Sequence, residues 1–296
     1  ELMTKTQFRN IGLIGRVKND LVQDSVRLLV KFLQERHIKV ILEEETSQAL
    51  GEHTLQVATR KLIGEVCDLV IVVGGDGSLL GAARALAGRD VPVLGVNRGH
   101  LGFLTDILPG DIEQQVGDVL AGQYKLETRF LIEARVKRGG EFIAHSAALN
   151  DVVLHSGQAP KMLHFELYIE GEFAYSQRSD GLIVSTPTGS TAYSLSGGGP
   201  IMHPSLNAIV LVPMFPHTLS SRPLVVDGNS EIKIIIGEDN PASPRVSCDG
   251  QVNVGVRPGD VIYIHKKPQK LTLIHPIDHG FYKTCREKLG WGSQLG

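Results

Sequence analysis

Asp68-Leu69-Val70-Ile71-Val72-Val73 runs directly into Gly74-Gly75-Asp76-Gly77-Ser78, and Leu79-Leu80-Gly81-Ala82-Ala83 follows. The first run is apolar and β-branched and is bounded by a polar residue and a glycine. It reads as a strand buried on both faces. Leu79, Leu80, Ala83 and Leu86 then recur at helical spacing. A buried strand, a glycine turn and a helix therefore follow one another. Such a turn aims backbone N–H groups and the helix dipole at one spot, where phosphate is stabilised. Its glycines allow positive φ and a close approach of ligand to backbone. Asp76 is the odd residue in it. A carboxylate beside phosphate repels it unless it has a task such as accepting a proton. The alternative is a plain capping turn with Asp76 or Ser78 as N-cap. The stretch is neither G-x-G-x-x-G nor a G-x-x-x-x-G-K-[ST] loop.

Outward from this turn the chain alternates. Residues 11–14 read as a strand and Gly15 to Asp20 as a polar loop. Val22, Val26, Leu29 and Phe32 share one face of a helix over about 21–36. Lys39 to Leu42 reads as a strand, about 54–64 as a helix, Val91 to Val96 as a strand and about 111–121 as a helix. This alternation predicts an α/β domain with a doubly wound parallel sheet, in which ligands bind beyond the carboxyl ends of the strands. A second punctuated loop, Asn97-Arg98-Gly99-His100-Leu101-Gly102-Phe103-Leu104-Thr105-Asp106, follows the last of these strands.

After Gly122 the pattern becomes mostly β. Strands are expected over 124–138, 142–155, 163–170, 172–186, 209–213, 231–236 and 261–274, with Glu170-Gly171-Glu172 at a hairpin tip. This predicts a β-rich, sandwich-like second domain. The expected division is 1–124, 125–275, and a segment 276–296 returning to the first domain, with a helix over Asp278 to Leu289.

The 296 residues carry 30 Lys+Arg against 32 Asp+Glu, a net charge of -2. That balance gives no electrostatic footprint for nucleic acid. No apolar run reaches the length of a membrane span. The three cysteines, Cys67, Cys248 and Cys285, have no metal spacing and read as reduced thiols of a cytoplasmic protein. His155, His164, His203 and His217 are scattered without zinc-ligand spacing, and no residues are put forward as metal ligands.

Two polar constellations stand out in the second half. Asn150-Asp151 interrupts a β-rich run, either as a bulge or Asx-turn or as a pair that binds hydroxyls or an amine. Thr186-Pro187-Thr188-Gly189-Ser190-Thr191-Ala192-Tyr193-Ser194-Leu195-Ser196-Gly197-Gly198-Gly199-Pro200 is dense in hydroxyls and glycine and is bracketed by apolar strands. Small hydroxyl side chains and open backbone N–H groups suit a nucleotide's sugar and base edge. Asp249-Gly250-Gln251 reads as a hairpin turn.

With these stretches assembled, the sequence closely resembles the bacterial NAD kinases. The resemblance is carried by Gly74 to Gly77, Asn97 to Asp106, Leu149 to Asp151, Ser179-Asp180-Gly181, Ser185 to Ser196 and Gly197 to Pro200. The Gly-Gly-Asp-Gly turn is shared with lipid kinases and phosphofructokinases, whereas Thr-Pro-Thr-Gly-Ser-Thr-Ala-Tyr is far more specific. The resemblance implies transfer of the ATP γ-phosphate to the 2′-hydroxyl of the adenosine ribose of NAD, with magnesium arriving with ATP. It implies that Asp76 accepts the proton. It places Gly77, Phe103, Asn150, Asp151, Lys161, Arg178, Asp180, Thr188, Thr191, Ala192, Tyr193, Ser194, Leu195, Ser196 and Gln251 in or near the dinucleotide site. A homotetramer or dimer is implied too, with Asp180 reaching the dinucleotide of a neighbouring subunit. Two other readings stay open: a lipid or sphingoid kinase of the same superfamily, which needs an apolar acyl groove, and a non-catalytic NADP-binding sensor, which has no need of Asp76.

Overall fold

The computed structural model describes residues 8–15, 20–157, 162–240 and 243–291. Two compact units make up the chain: Glu1–Thr128 with Leu271–Gly296, and Arg129–Lys270.

The first unit holds β1 (Asn10–Gly15), α1 (Asp20–Gln34), β2 (Lys39–Glu43), α2 (Glu44–Leu50), β3 (Gln56–Ala58), α3 (Arg60–Val66), β4 (Leu69–Val73), α4 (Asp76–Leu86), β5 (Val93–Val96) and α5 (Ile112–Leu120). The strands pair in parallel in the order β3-β2-β1-β4-β5. Strand order reverses between β1 and β4, and an open α/β sheet has its ligand crevice at such a point. Every residue of β4 is fully buried, because helices cover both faces of the sheet. That is the physical reason for its uninterrupted apolar run. The amphipathic face of α1 (Val22, Val26, Leu29, Phe32, Leu33) is buried with Ile11, Leu13, Ile71 and Leu94 in one core.

The helix expected over about 54–64 starts later and runs Arg60–Val66. Gln56–Ala58 instead pairs with β2 as an edge strand, and α3 begins only after Thr59, whose Oγ1 accepts the amide of Leu62 as N-cap. The sequence reading also passed over α2. Its start is fixed by the Glu43 carboxylate, which accepts from both the amide and the hydroxyl of Thr46.

The second unit is a sandwich. Its strands are β6 (Tyr124–Arg138, entering from the first unit), β7 (Glu141–Ala148), β8 (Asp151–His155), β9 (Leu163–Ile169), β10 (Glu172–Ser179), β11 (Gly181–Ser185), β12 (Ala208–Met214), β13 (Leu224–Asp227), β14 (Ile232–Ile236), β15 (Arg245–Cys248), β16 (Val252–Gly255) and β17 (Val261–Pro276). One antiparallel sheet runs β13-β12-β11-β8-β15-β16. The other contains β10-β9-β14-β17, with β6 pairing β17 and β7. Val152, Leu154, Leu182, Val184 and Leu211 from the first sheet pack with Phe165, Leu167, Ile232, Ile234 and Ile262 from the second.

The runs 142–155 and 172–186, each expected as one strand, are both broken. The breaks fall at Leu149-Asn150 and at Asp180. β15 and β16 are the strands on either side of the expected Asp249-Gly250-Gln251 hairpin turn, whereas β13 is not among the expected strands. The hydroxyl-rich stretch contributes a 3₁₀ turn, Thr188–Thr191, and a single helical turn α6 (Tyr193–Ser196). The last residues of β17 belong to the first unit, where Leu273 and Ile274 pair in parallel with Val93 and Leu94 of β5. Helix α7 (Phe281–Leu289) follows, shorter at its start than the expected Asp278 to Leu289. Among the described residues no helix is long and apolar enough to cross a membrane.

Candidate active site

In the first unit the site grows from the end of β4. Gly74 takes φ of 153°, and a Cβ there would collide with the Ser78 side chain, so this turn requires glycine. The N-cap of α4 is Gly75, with no side-chain cap, so the alternative of a plain capping turn with Asp76 or Ser78 as N-cap does not hold. Asp76 is the first residue of the helix, and its carboxylate reaches out to the loop after β5. Oδ1 accepts from the amides of Leu104 and Thr105, each at 3.1 Å, and from the Thr105 hydroxyl at 3.0 Å. Oδ2 accepts from the amide of Phe103, at 2.9 Å, and from no other donor seen among the described residues. A carboxylate offers about four acceptor sites shared between its oxygens. Oδ2 is therefore the oxygen with capacity left for another donor.

The loop that supplies these donors is itself pinned. Asn97, buried, accepts from the amides of Gly99 and His100 and donates to Thr105 Oγ1 at 2.7 Å. Gly102 sits against the Asp76 carboxylate and Thr105 Oγ1, where a Cβ would overlap both. The ring of Phe103 is half-buried, with the Lys288 ammonium 5.7 Å from its centroid. Asn97, Gly102 and Thr105 were not singled out individually by the sequence reading. Their role is to hold a residue 21 to 29 positions upstream, and such long-range bonds leave no local spacing to detect.

In the second unit, Asn150 and Asp151 are framed by backbone bonds. Asp249 and Gly250, both at positive φ, make the tight turn between β15 and β16. From this turn the Asp249 carboxylate accepts the amides of Leu149 (3.1 Å), Asn150 (2.8 Å) and Asp151 (3.3 Å). Thr186 and Ser185 donate to the Asn150 carbonyl from the opposite side. Gly189 packs so close to that carbonyl that a Cβ would collide with it. With its main chain fixed, Asn150 keeps a buried Oδ1 that has no hydrogen-bond partner among the described residues. An orphaned buried acceptor costs about 1–3 kcal/mol and is a place for a ligand donor. Asp151 is 4% exposed. Burial, together with the neighbouring charge of Asp249, pushes its carboxyl up to about 7. Buried carboxyls shifted in this way concentrate at functional sites.

Asn150, Asp151, Ala192 and Tyr193 share a cavity of about 520 Å³ with Val153, Asp249 and Gly250. Other expected site residues lie elsewhere. Thr188 is buried and accepts from the buried Arg129 at 3.0 Å. Thr191 bonds back to the Thr188 carbonyl. Arg178 is exposed and paired with Asp239 at 3.1 Å, and Asp180 is exposed at the break between β10 and β11. Ser194 is buried, Leu195 half-buried, and Ser196, Gln251 and Gly77 are exposed. Lys161 lies outside the described residues.

The glycine turn and the polar cavity of the β unit each fall within a stretch that matches a known family model. The ATP-NAD kinase N-terminal domain matches residues 11–124, and the ATP-NAD kinase C-terminal domain matches residues 149–276. The chain is 63% identical to the NAD kinase of Pseudomonas entomophila (strain L48) over 290 residues, 98% of each chain. It is 62% identical to that of Pseudomonas syringae pv. tomato over the same length and share. Among solved structures, yeast NADH kinase complexed with NADH superposes with a TM-score of 0.89 at 26% identity, covering 99% of this chain and 90% of that one. An NAD kinase from Archaeoglobus fulgidus, complexed with ATP, shares the fold with a TM-score of 0.71 at 24% identity, over 95% and 97% of the two chains. The chain belongs to the NAD kinase family.

Proposed function

We propose that the chain makes NADP from NAD and ATP, with Asp76 as the proton acceptor for the 2′-hydroxyl of the adenosine ribose. A ribose hydroxyl is a weak nucleophile at neutral pH, and a carboxylate within hydrogen-bond reach takes its proton as the new bond develops. The 2′-oxygen bonds to the γ-phosphorus, the bond from that phosphorus to the β,γ-bridging oxygen breaks, and the proton passes to Asp76 Oδ2. The single observation that carries this assignment is the division of labour on the carboxylate. Three donors hold Oδ1 and one holds Oδ2, so the side chain is aimed and still has room for the incoming proton. The divalent cation enters as part of the ATP complex. Asp76, an oxygen donor of the type a hard cation takes, is already engaged by the loop and forms no dedicated cage.

Asn150 and Asp151 bind the adenosine portion, with the orphaned Asn150 Oδ1 accepting from a ligand N–H or O–H. Phe103 supplies a ring face for the base. Gly77, Lys161, Thr188, Thr191, Ala192, Tyr193, Ser194, Leu195, Ser196 and Gln251 complete the dinucleotide site in this reading. The enzyme is cytoplasmic and assembles as a homotetramer or dimer, with Asp180 reaching the dinucleotide of a neighbouring subunit and Arg178 in or near the dinucleotide site. Two nearby apolar side chains support that assembly, Phe215 at 79% and Leu219 at 98% exposed. Their loop bonds to the strand carrying Arg178, through the His217 amide and through Ser221 to Gln177.

Incubation with ATP, magnesium and NAD is expected to yield NADP, with sphingosine and diacylglycerol left unmodified when offered as acceptors. Light scattering on the same preparation is expected to give a mass above one chain. Failure to form NADP would return the chain to the binding-sensor reading. Gly102→Ala tests the positioning of Asp76 separately. Its added methyl group must push the carboxylate from its donors, and misplacement of about 1 Å costs on the order of 10² in rate. Steady-state kinetics should show that loss in kcat with little change in KM for NAD.

A further inference from the structure

Asp106, His275 and His279 come together in the first unit. Asp106 Oδ2 lies 2.9 Å from His275 Nδ1 and 2.8 Å from His279 Nδ1. The two imidazoles stack with centroids 3.9 Å apart and planes within 10°, so both Nδ1 atoms address one carboxylate. The cluster is almost dry: His275 is 1% exposed, Asp106 6% and His279 10%. The other oxygen of Asp106, Oδ1, is buried without a hydrogen-bond partner among the described residues. His275 Nε2 is bonded to the Glu127 carboxylate at 3.0 Å.

We propose that Asp106, His275 and His279 are the ligands of a divalent first-row transition-metal ion, with Zn²⁺ as the matching species. Two imidazole nitrogens and one carboxylate form a donor set that zinc and its neighbours accept, and one that leaves a position open for water. Glu127 occupies the place of an outer carboxylate, which fixes the ring orientation of a metal-bound histidine and raises its basicity. With Nε2–H donating to Glu127, a neutral His275 presents its Nδ1 lone pair to Asp106, acceptor against acceptor. That contact is favourable only with a cation between the two, either a proton or a metal ion.

The buried Asp106 Oδ1 separates these two occupants. A proton on each imidazole would balance Asp106 and Glu127 in charge but would leave that oxygen unsatisfied. A divalent ion on neutral imidazoles balances Asp106 and Glu127 and gives Oδ1 a partner. Bonds of about 2 Å in a tetrahedral site set donors roughly 3.3 Å apart, close to the present 2.8 and 2.9 Å from Asp106 Oδ2 to the two Nδ1 atoms, and the stacked ring of His279, at the rim, must turn for both lone pairs to meet one ion. A cavity of about 290 Å³ leads in past His279, lined by Asp111, Asp278 and Glu287 with one cation, Lys283. Its acidic lining draws cations.

This set has no local signature in the sequence. One ligand lies 169 positions from the next, and the His275–His279 pair lies at the end of a strand and in the turn after it. Asp106 directly follows Thr105, the residue that holds both Asp76 and Asn97. A bound ion would tie that loop to the segment 275–279 within the same unit.

The test uses full-length protein stripped with a chelator and titrated with Zn²⁺ by calorimetry. One ion per chain is expected, with a dissociation constant in the micromolar range or below. His279→Gln, at the rim of the cluster, is expected to weaken binding at least tenfold. X-ray absorption on the zinc-loaded wild type provides a readout independent of any variant's folding, and should show two imidazoles with oxygen donors and no sulfur. Three results would each overturn the site: no zinc uptake by the stripped protein, equal affinity in wild type and His279→Gln, or sulfur in the coordination shell, which would move the ion to a cysteine.

Discussion

Asp76→Asn is expected to lower kcat by about 10²–10⁴, the usual range for loss of a positioned general base, while KM for NAD changes by a few-fold at most. The geometry sharpens this expectation. An amide oxygen in the place of Oδ1 keeps the Leu104, Thr105 amide and Thr105 hydroxyl donors, but the NH₂ group then faces the Phe103 amide, donor against donor. That clash costs about 1–3 kcal/mol, so a modest fall in melting temperature accompanies the loss of turnover. The two effects are separable by measuring kcat well below the variant's melting transition. Wild-type turnover at saturating ATP and NAD would falsify the base assignment and leave the turn as a phosphate cradle.

The second large effect is a change in stability with pH. Asp151 has a folded-state carboxyl near 7 against 3.8 for the free group. The folded chain therefore holds a proton that the unfolded chain releases. Stability from this residue is fully present below about pH 4, falls as pH rises, and is lost above about pH 7. At about 1.4 kcal/mol per pH unit, the ionised form costs roughly 4 kcal/mol at pH 8. Asp151→Asn removes the titration. Its melting temperature relative to wild type is expected to be several degrees higher at pH 8, with the difference shrinking steadily toward pH 5. NAD affinity should fall at the same time by about tenfold, if the carboxylate contributes one hydrogen bond of ordinary strength. A stability difference that stays flat from pH 5 to pH 8 would show that Asp151 is ionised throughout.

What could be read beforehand follows from where the information lies. β4 was legible because burial on both faces demands five consecutive apolar residues. α1 was legible from its helical stripe. The segment 44–66 was not, because two short helices and a three-residue edge strand are each decided by one capping side chain, Glu43 or Thr59, and by pairing with β2. Asp76 was legible as the odd carboxylate in a glycine turn, but nothing in its neighbourhood announced the donors from the loop after β5. Asp249 shows the same limit from the other side. As Asp-Gly it signalled a turn, and it makes one. Its second task, holding the amides of Leu149 to Asp151, spans about a hundred residues and has no local signature.

The parallel pairing of Leu273 and Ile274 with Val93 and Leu94 bears on how the chain is made. Sequential domains ordinarily fold in order as they leave the ribosome. Here the first unit is interrupted: Val96 of β5 bridges Ile107, but Val93 and Leu94 have no neighbour on that side until the last residues of β17 have been synthesised. The contiguous second unit, Arg129–Lys270, emerges whole before then. The glycine-turn unit begins first and closes last. Until closure, one edge of its parallel sheet stands open, with two buried apolar residues and unpaired main chain on it. That interval is when a nascent chain of this topology is most exposed to aggregation and most in need of a chaperone.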